Sequence, residues 1–229
     1  MGRIAFISAA GYDLDMSDPR EPRAILFDLD GTLADSLGVM RHAYQLFLKT
    51  YSREPSESEF ESLNGPPLLE VVRQLKVTHV LPDDEAVLFS RYSDVVDQAY
   101  ARVAPSPGAP ELVEEAKRRG CAMGLVTSNS RRRARAWLES VGLLDMMDVI
   151  VSGEDVKNGK PNPEPYRRAC LQMPYDPTLI VAIEDSPQGA TSALTAGLRT
   201  LALCQSTHGW PQGAEPISSL FQAAEKLWR

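Results

Sequence analysis

Residues 24–32 read AILFDLDGT, an apolar run that ends in two aspartates separated by one leucine and followed by a glycine. The run is short, and its hydrophobicity is continuous rather than alternating, which is typical of a strand covered on both faces. The carboxylates of Asp28 and Asp30 would lie where this strand ends. Open parallel sheets bind ligands beyond the carboxyl ends of their strands, so this stretch predicts both a core strand and a site.

Further apolar runs of the same kind occur later, at residues 122–127 (AMGLVT), 149–152 (VIVS), 179–183 (LIVAI) and 198–204 (LRTLALC). Helical stretches separate them, and strands that alternate with helices predict a parallel sheet built from right-handed crossovers. Helix boundaries agree with this pattern. Ser186 and Pro187 are typical of a helix start, and Gly120 and Gly197 of helix ends. The sequence therefore predicts an α/β core.

The first two runs are about ninety residues apart, far more than one crossover helix requires. Apolar residues at helical spacing, such as Met40, Tyr44 and Phe47, predict helices over residues 36–51, 56–63, 67–76 and 83–103. We therefore expect a helical domain at 36–107, inserted into a core made of 23–35 and 108–229, with hinges near 34–37 and 104–110. Residues 1–22 are expected to form a poorly ordered extension.

The overall charge limits the class of partner. The chain has 24 basic and 31 acidic residues and a net charge of −7, so no global attraction to nucleic acid or an anionic membrane is expected. The arginine-rich run at 131–135 is accordingly interpreted as the solvated face of a helix. No apolar run has the length of a membrane span. We expect a cytoplasmic monomer or homodimer that binds neither nucleic acid nor a membrane.

The three cysteines, Cys121, Cys170 and Cys204, have no C-x-x-C spacing. They are therefore expected to be reduced, buried thiols.

Groups that can carry chemistry follow the predicted strands. Several carboxylates about 4 Å apart would repel each other by roughly 4 kcal/mol per pair at an effective dielectric near 20, so a cation is implied. Oxygen ligands with no histidine or cysteine at ligand spacing favour Mg²⁺ over zinc. The groups are Asp28 and Asp30 after the first strand, Thr127, Ser128 and Asn129 after the second, Lys160 in the loop after the third, and Glu184 and Asp185 after the fourth.

Four segments together resemble a known family. Residues 27–33 (FDLDGTL), 126–129 (VTSN), 159–166 (GKPNPEPY) and 183–186 (IEDS) are similar to the four ordered motifs of the haloacid dehalogenase superfamily. The closest resemblance is to the phosphoglycolate phosphatase and β-phosphoglucomutase branch, and it runs from about Arg23 to the C-terminus. It implies a Rossmann-like, doubly wound parallel sheet with an inserted helical cap, which would be the helical domain at 36–107.

The resemblance also implies roles for individual residues. Asp28 would be the nucleophile that forms an aspartyl-phosphate, and Asp30 would be the general acid and base. Mg²⁺ would be bound by Asp28, the main-chain carbonyl of Asp30 and the carboxylate of Asp185, with Glu184 binding directly or through water.

The remaining motif residues would hold the substrate. Thr127 and Lys160 would bind the phosphoryl oxygens, and Ser128 and Asn129 would assist through backbone or amide donors. The expected function is hydrolysis of a small phosphorylated metabolite, of the phosphoglycolate or sugar phosphate type, by a Mg²⁺-dependent phosphatase. Residues 64–68 of the cap are expected to face the site.

A phosphomutase is the main competing hypothesis. The β-phosphoglucomutase branch has a histidine ten residues after the second aspartate and an arginine three residues after the glycine of the cap loop, where this chain has Met40 and Leu68. Neither can carry charge. His42 is two positions away, about 200° around a helix. A phosphatase is therefore favoured.

Three further hypotheses assign the chain a different kind of activity. A phospho-accepting signalling module places Asp, Thr and Lys around Mg²⁺ on a parallel sheet, but such receivers are about half as long and lack a second acid such as Asp30. A catalytically idle scaffold is disfavoured because the reactive groups are intact. Dehalogenases lack the second aspartate, so dehalogenation is disfavoured as well.

Overall fold

A computed structural model describes residues 21–63, 66–206 and 208–228. The extension predicted at 1–22 lies outside this range except for its last two residues, of which Glu21 forms an ion pair with Arg119 at 3.2 Å. Residues 64 and 65 of the predicted site-facing loop also lie outside it.

Within the described ranges, six parallel strands form one sheet in the order β3-β2-β1-β4-β5-β6. The chain winds outward from β1 in one direction and then from β4 in the other, which leaves a crevice beyond the carboxyl ends of these two strands. The strands are β1 (Ala24–Phe27), β2 (Ala122–Val126), β3 (Val149–Val151), β4 (Ile180–Glu184), β5 (Arg199–Leu203) and β6 (Glu215–Ile217). The sequence missed β6, a short edge strand that contains Pro216.

The sheet is covered on both faces. Ile25 and Phe27 of β1 face one apolar cluster and Ala24 and Leu26 face the other, so all four side chains are fully buried. This explains why the run is continuously apolar. The helices on the first face are α5 (Ala109–Arg118), α6 (Arg131–Ser140) and α9 (Leu220–Leu227), and those on the second are α7 (Glu164–Cys170) and α8 (Pro187–Thr195).

Between β1 and β2 the described residues form four helices, as the sequence predicts. Phe47 of the first stacks on Tyr92 of the fourth, with ring centroids 4.6 Å apart, inside an apolar centre of the cap. The helices are α1 (Leu37–Thr50), α2 (Glu57–Ser62), α3 (Leu68–His79) and α4 (Glu85–Tyr100). The predicted fold class is confirmed, whereas the domain limits at 36 and 107 stay a prediction.

The two segments that connect the cap to the core run side by side. The backbone N–H of Asp35 donates to the carbonyl of Ala104 at 2.9 Å, and the N–H of Ser106 donates to the carbonyl of Leu33 at 2.8 Å. Both predicted hinges therefore lie together at the edge of the site.

The interpretation of the arginine-rich run as a solvated face is wrong for Arg133. This side chain is only 6% exposed, because it points from α6 towards α4 of the cap and bonds there to Asp97. Arg132 is exposed but also pairs with Asp97, and Arg135 is exposed.

Two smaller expectations concern the cysteines and the membrane. Cys121, Cys170 and Cys204 are free, but they are half-buried rather than buried. None of the helices in the described ranges combines the length and the apolar character needed to cross a bilayer.

Candidate active site

Lys160 joins the ends of three strands at the crevice. Its Nζ donates to Oδ1 of Asp28 at 2.5 Å and to the carbonyl of Val126 at 3.0 Å, and lies 2.5 Å from Oε1 of Glu184. Lys160 and Asp28 are both buried, and the peptide bond between Lys160 and Pro161 is cis. Although burial opposes the charge, the carboxylates of Asp28 and Glu184 raise the pKa of the Lys160 ammonium. The lysine therefore remains a cation beside Asp28.

Three carboxylates converge beside this lysine. Oxygens of Asp28, Glu184 and Asp185 all lie within 4.8 Å of one another. Burial raises the pKa of both Asp28 and Asp185; Lys160 lowers these pKa values, and repulsion from the neighbouring carboxylates raises them. One ammonium cannot balance three carboxylates, and a divalent cation would favour their ionised forms. This all-oxygen set fits Mg²⁺ by the chemistry of its donors.

Glu184 is the last residue of β4 and is fully buried. The hydroxyl of Tyr166 donates to its Oε1 at 2.6 Å, and Oγ of Ser186 donates to its Oε2 at 3.3 Å. A side chain at Gly189 in α8 would collide with this carboxylate. Glu184 is thus fixed by hydrogen bonds and by the close approach of a glycine.

Asp30 receives hydrogen bonds from both ends of the cap insertion. Oγ of Ser36, just before α1, donates to its Oδ1 at 2.8 Å, and the hydroxyl of Tyr100, the last residue of α4, donates to the same oxygen at 2.7 Å. Nδ2 of Asn129 donates to Oδ2 at 3.2 Å. The carboxylate that follows β1 is therefore positioned by residues at both hinges.

The turn after Asp30 requires a glycine. Gly31 has a φ of +83°, and a side chain there would collide with the carboxylate of Asp185. The glycine of the first motif thus lets two acidic groups lie close together.

The loop after β2 completes the polar wall. Thr127 is 3% exposed, and its Oγ1 accepts a hydrogen bond from the backbone N–H of Asn129 at 3.0 Å. Oδ1 of Asn129 accepts a hydrogen bond from Arg133 at 2.6 Å, which orients the amide so that it can donate to Asp30.

A cavity of about 370 Å³ lies between the core and the cap. Pro66, Pro67 and Leu68 line it, so the described part of the loop at 64–68 faces the site as expected. Except for Glu184, which is fully buried, every predicted site residue lines the cavity: Asp28, Asp30, Thr127, Ser128, Asn129, Lys160 and Asp185.

Four residues that bond to this site were not predicted from the sequence. Tyr166 lies within the third motif and Ser36 within the predicted first hinge, so the sequence already placed both residues near the site. Tyr100 follows Tyr92 and Val96 at helical spacing and is indistinguishable from a core residue by pattern. Arg133 was assigned to the solvated face.

A doubly wound sheet with clustered carboxylates and a lysine at its crevice, covered by a helical cap, defines a class of capped α/β enzymes. Comparison with protein families agrees, because residues 25–203 match the model of the haloacid dehalogenase-like hydrolases. The chain belongs to this family. The predicted family and enzyme class, a hydrolase of this superfamily, are confirmed.

Known relatives include named phosphatases. The chain is 30% identical over 218 residues to validoxylamine A 7'-phosphate phosphatase of Streptomyces hygroscopicus, covering 90% of this chain and 96% of the relative. It is also 30% identical to hexitol phosphatase A of Escherichia coli, covering 79% and 82%. Among solved structures, CbbY of Rhodobacter sphaeroides in complex with phosphate has a TM-score of 0.76 at 28% identity, covering 87% and 95%.

Proposed function

We propose that this protein is a Mg²⁺-dependent phosphatase that hydrolyses a small phosphorylated metabolite through an aspartyl-phosphate on Asp28. The observation that carries the proposal is the position of Asp28, which is hydrogen-bonded to Lys160 and faces the cavity with Asp30 two residues away. The named phosphatases among the relatives support the same reaction. Cytoplasmic location and a monomeric or homodimeric state stay predictions.

Asp28, the main-chain carbonyl of Asp30 and Asp185 would hold the metal, and Glu184 would contribute directly or through water. When bound, Mg²⁺ supplies positive charge that keeps the carboxylates ionised and offsets the charge of the phosphoryl group. Lys160 supplies a further positive charge at the same place, and Thr127 would hold a phosphoryl oxygen.

In the first step the carboxylate of Asp28 attacks phosphorus. The new bond joins an Asp28 oxygen to phosphorus, the bond between phosphorus and the ester oxygen breaks, and Asp30 gives a proton to the leaving oxygen. The hydrogen bonds from Ser36, Tyr100 and Asn129 would hold Asp30 in place for this transfer.

In the second step Asp30 removes a proton from a water molecule. The water oxygen attacks phosphorus, the bond between phosphorus and Asp28 breaks, and inorganic phosphate leaves. The free carboxylate of Asp28 is restored, so that one site carries out both displacements.

A phosphomutase is the main alternative function, and the residues that line the cavity argue against it. A mutase must grip a second phosphate, yet Met40 and Leu68 line the cavity at the two positions where the mutase branch has a cation or a hydrogen-bonding group. His42 is exposed and is not among the residues that line the cavity. Without a site for a second phosphate, hydrolysis of the aspartyl-phosphate should be faster than phosphoryl transfer to a second hydroxyl.

A phosphate-release screen over phosphorylated metabolites, with Asp28→Asn as the control, tests the proposal. We expect many turnovers per chain for at least one substrate and none with the variant. Phosphate uptake that stops at one equivalent per chain would favour the signalling module. Conversion of β-glucose 1-phosphate to glucose 6-phosphate faster than phosphate release would favour the mutase.

A further inference from the structure

The cap side of the cavity is apolar. Among the described residues it presents Met40, Phe60, Leu68, Leu69 and Phe89 to the space above Asp28. Leu69 and Phe89 are each 37% exposed. Together they form an exposed apolar patch, which is more informative than a single exposed apolar residue. These two side chains lie on different helices, α3 and α4, so they form one surface only because the cap folds.

Polar groups on the described part of this surface are few. In the described cap, Ser93 and the hydroxyl-bearing Tyr92 are the polar residues that line the cavity, and Oγ of Ser93 accepts a hydrogen bond from Arg133 at 3.2 Å. A sugar or polyol held against this surface would lose water from several hydroxyls and find few partners in the described part of the cap. A buried hydroxyl that has no hydrogen-bond partner is unfavourable, so such a leaving group is disfavoured.

Charge on the leaving group is disfavoured too. Of the described residues that line the cavity, Lys160 and Arg133 are the cations, and both come from the core. Lys160 is bonded to Asp28, and Arg133 is bonded to Asp97 at 2.6 Å. Neither cation is free to bind a second phosphate or a carboxylate carried by the leaving group.

Resting on the proposed phosphatase function, we propose that the substrates are phosphate monoesters whose leaving group is uncharged and largely apolar, held against Leu69 and Phe89. The core binds the phosphoryl group, and the cap recognises the hydrocarbon surface of the alcohol. This proposal departs from the expectation of a phosphoglycolate or sugar phosphate substrate. The cavity volume of about 370 Å³ leaves room for a six-membered ring beside the phosphoryl group.

Two pairs of substrates test this with matched chemistry. Cyclohexylmethyl phosphate and glucose 6-phosphate each release a primary alcohol attached to a six-membered ring, and hexyl phosphate and hexitol 6-phosphate form the corresponding open-chain pair. The apolar member of each pair has no hydroxyls to bury without partners, and this difference is larger than the effect of one methylene group. We therefore expect the apolar member of each pair to have a kcat/KM about tenfold higher or more.

Variants then locate the preference. Phe89→Ser should reduce the ratio of the two kcat/KM values by about fivefold, because it removes one of the two exposed apolar contacts. Phe221→Ser is the matched control, since Phe221 is 53% exposed on α9 and does not line this cavity. It should leave the ratio unchanged.

The outcomes separate the two proposals. Preference for glucose 6-phosphate or hexitol 6-phosphate, with phosphate release that depends on Asp28, would overturn the substrate class and leave the phosphatase standing. An apolar preference that Phe89→Ser and Phe221→Ser change equally would overturn the assignment to this surface. Release of no phosphate from any monoester would overturn both proposals.

Discussion

Arg133 links the cap to the loop after β2, and its replacement should affect both stability and turnover. From α6 its guanidinium donates to Asp97 at 2.6 Å and Ser93 at 3.2 Å on α4, and to Asn129 at 2.6 Å in the core. Asn129 in turn donates to Asp30 at 3.2 Å. Arg133→Met keeps an apolar stem of similar length and removes the whole fork of donors.

The size of the effect follows from what the partners retain. Complete loss of one partner of a buried ion pair costs about 3 to 5 kcal/mol. Here Asp97 keeps its bond to Arg132, and Oδ1 of Asn129 keeps the N–H of Ser130. We therefore expect a loss of about 2 to 4 kcal/mol, or on the order of 5 to 12 °C in Tm for a chain of this size. With Asn129 less firmly oriented, kcat should fall by about tenfold.

Thermal unfolding followed by circular dichroism and a phosphate-release assay measure the two effects. Arg135→Met is the matched control, since Arg135 is exposed on the same helix. It should change stability by no more than about 0.5 kcal/mol. If Arg133→Met matches Arg135→Met in both Tm and kcat, the cap-to-core link has no energetic weight and the reasoning is wrong.

The remaining predictions concern the metal, the reacting carboxylates and the cap. Chelation with EDTA should abolish phosphate release and Mg²⁺ should restore it, whereas Ca²⁺ should inhibit because its larger, looser shell misplaces the nucleophile; full activity in EDTA would refute the metal assignment. Asp28→Asn should lower turnover by roughly 10⁴-fold or more with an unchanged circular dichroism spectrum, since an amide cannot become an acyl phosphate. Tyr100→Phe should lower kcat by about tenfold and change KM much less, because a hydrogen bond to a charged group contributes ~1.5 to 3 kcal/mol. An unchanged kcat would show that this bond does not position Asp30. Small-angle scattering should detect a rotation of the cap about its two predicted hinges when a beryllium or aluminium fluoride analogue binds, and an identical profile in both states would contradict this movement.

The sequence was sufficient for features whose cause is local. A strand buried on both faces must be apolar at every position, so residues 24–27 identify β1 without knowledge of its neighbours. Parallel strands that alternate with helices place their carboxyl ends at one edge, so Asp28, Lys160 and Asp185 could be expected to converge although they are far apart in the chain. The spacing of about ninety residues before β2 likewise required an insertion.

The sequence was not sufficient where a residue's partner comes from another unit. Tyr100 occupies the apolar stripe of α4 together with Tyr92 and Val96, and helical periodicity reports only that the stripe is buried. That its hydroxyl reaches Asp30 depends on where the cap meets the core. Arg133 lies among exposed arginines, and its burial depends on the approach of α4.

The sequence by itself therefore determined the α/β core, the inserted helices and the set of acidic and basic groups at the strand ends. These follow from periodicity and from the chemistry of side chains within a few residues of each other. Only the tertiary structure decided which groups orient Asp30, and that Leu69 and Phe89 form one apolar wall above the site. Both depend on how two separately patterned units pack together, because hydrophobic periodicity specifies that a face is buried and not which surface covers it.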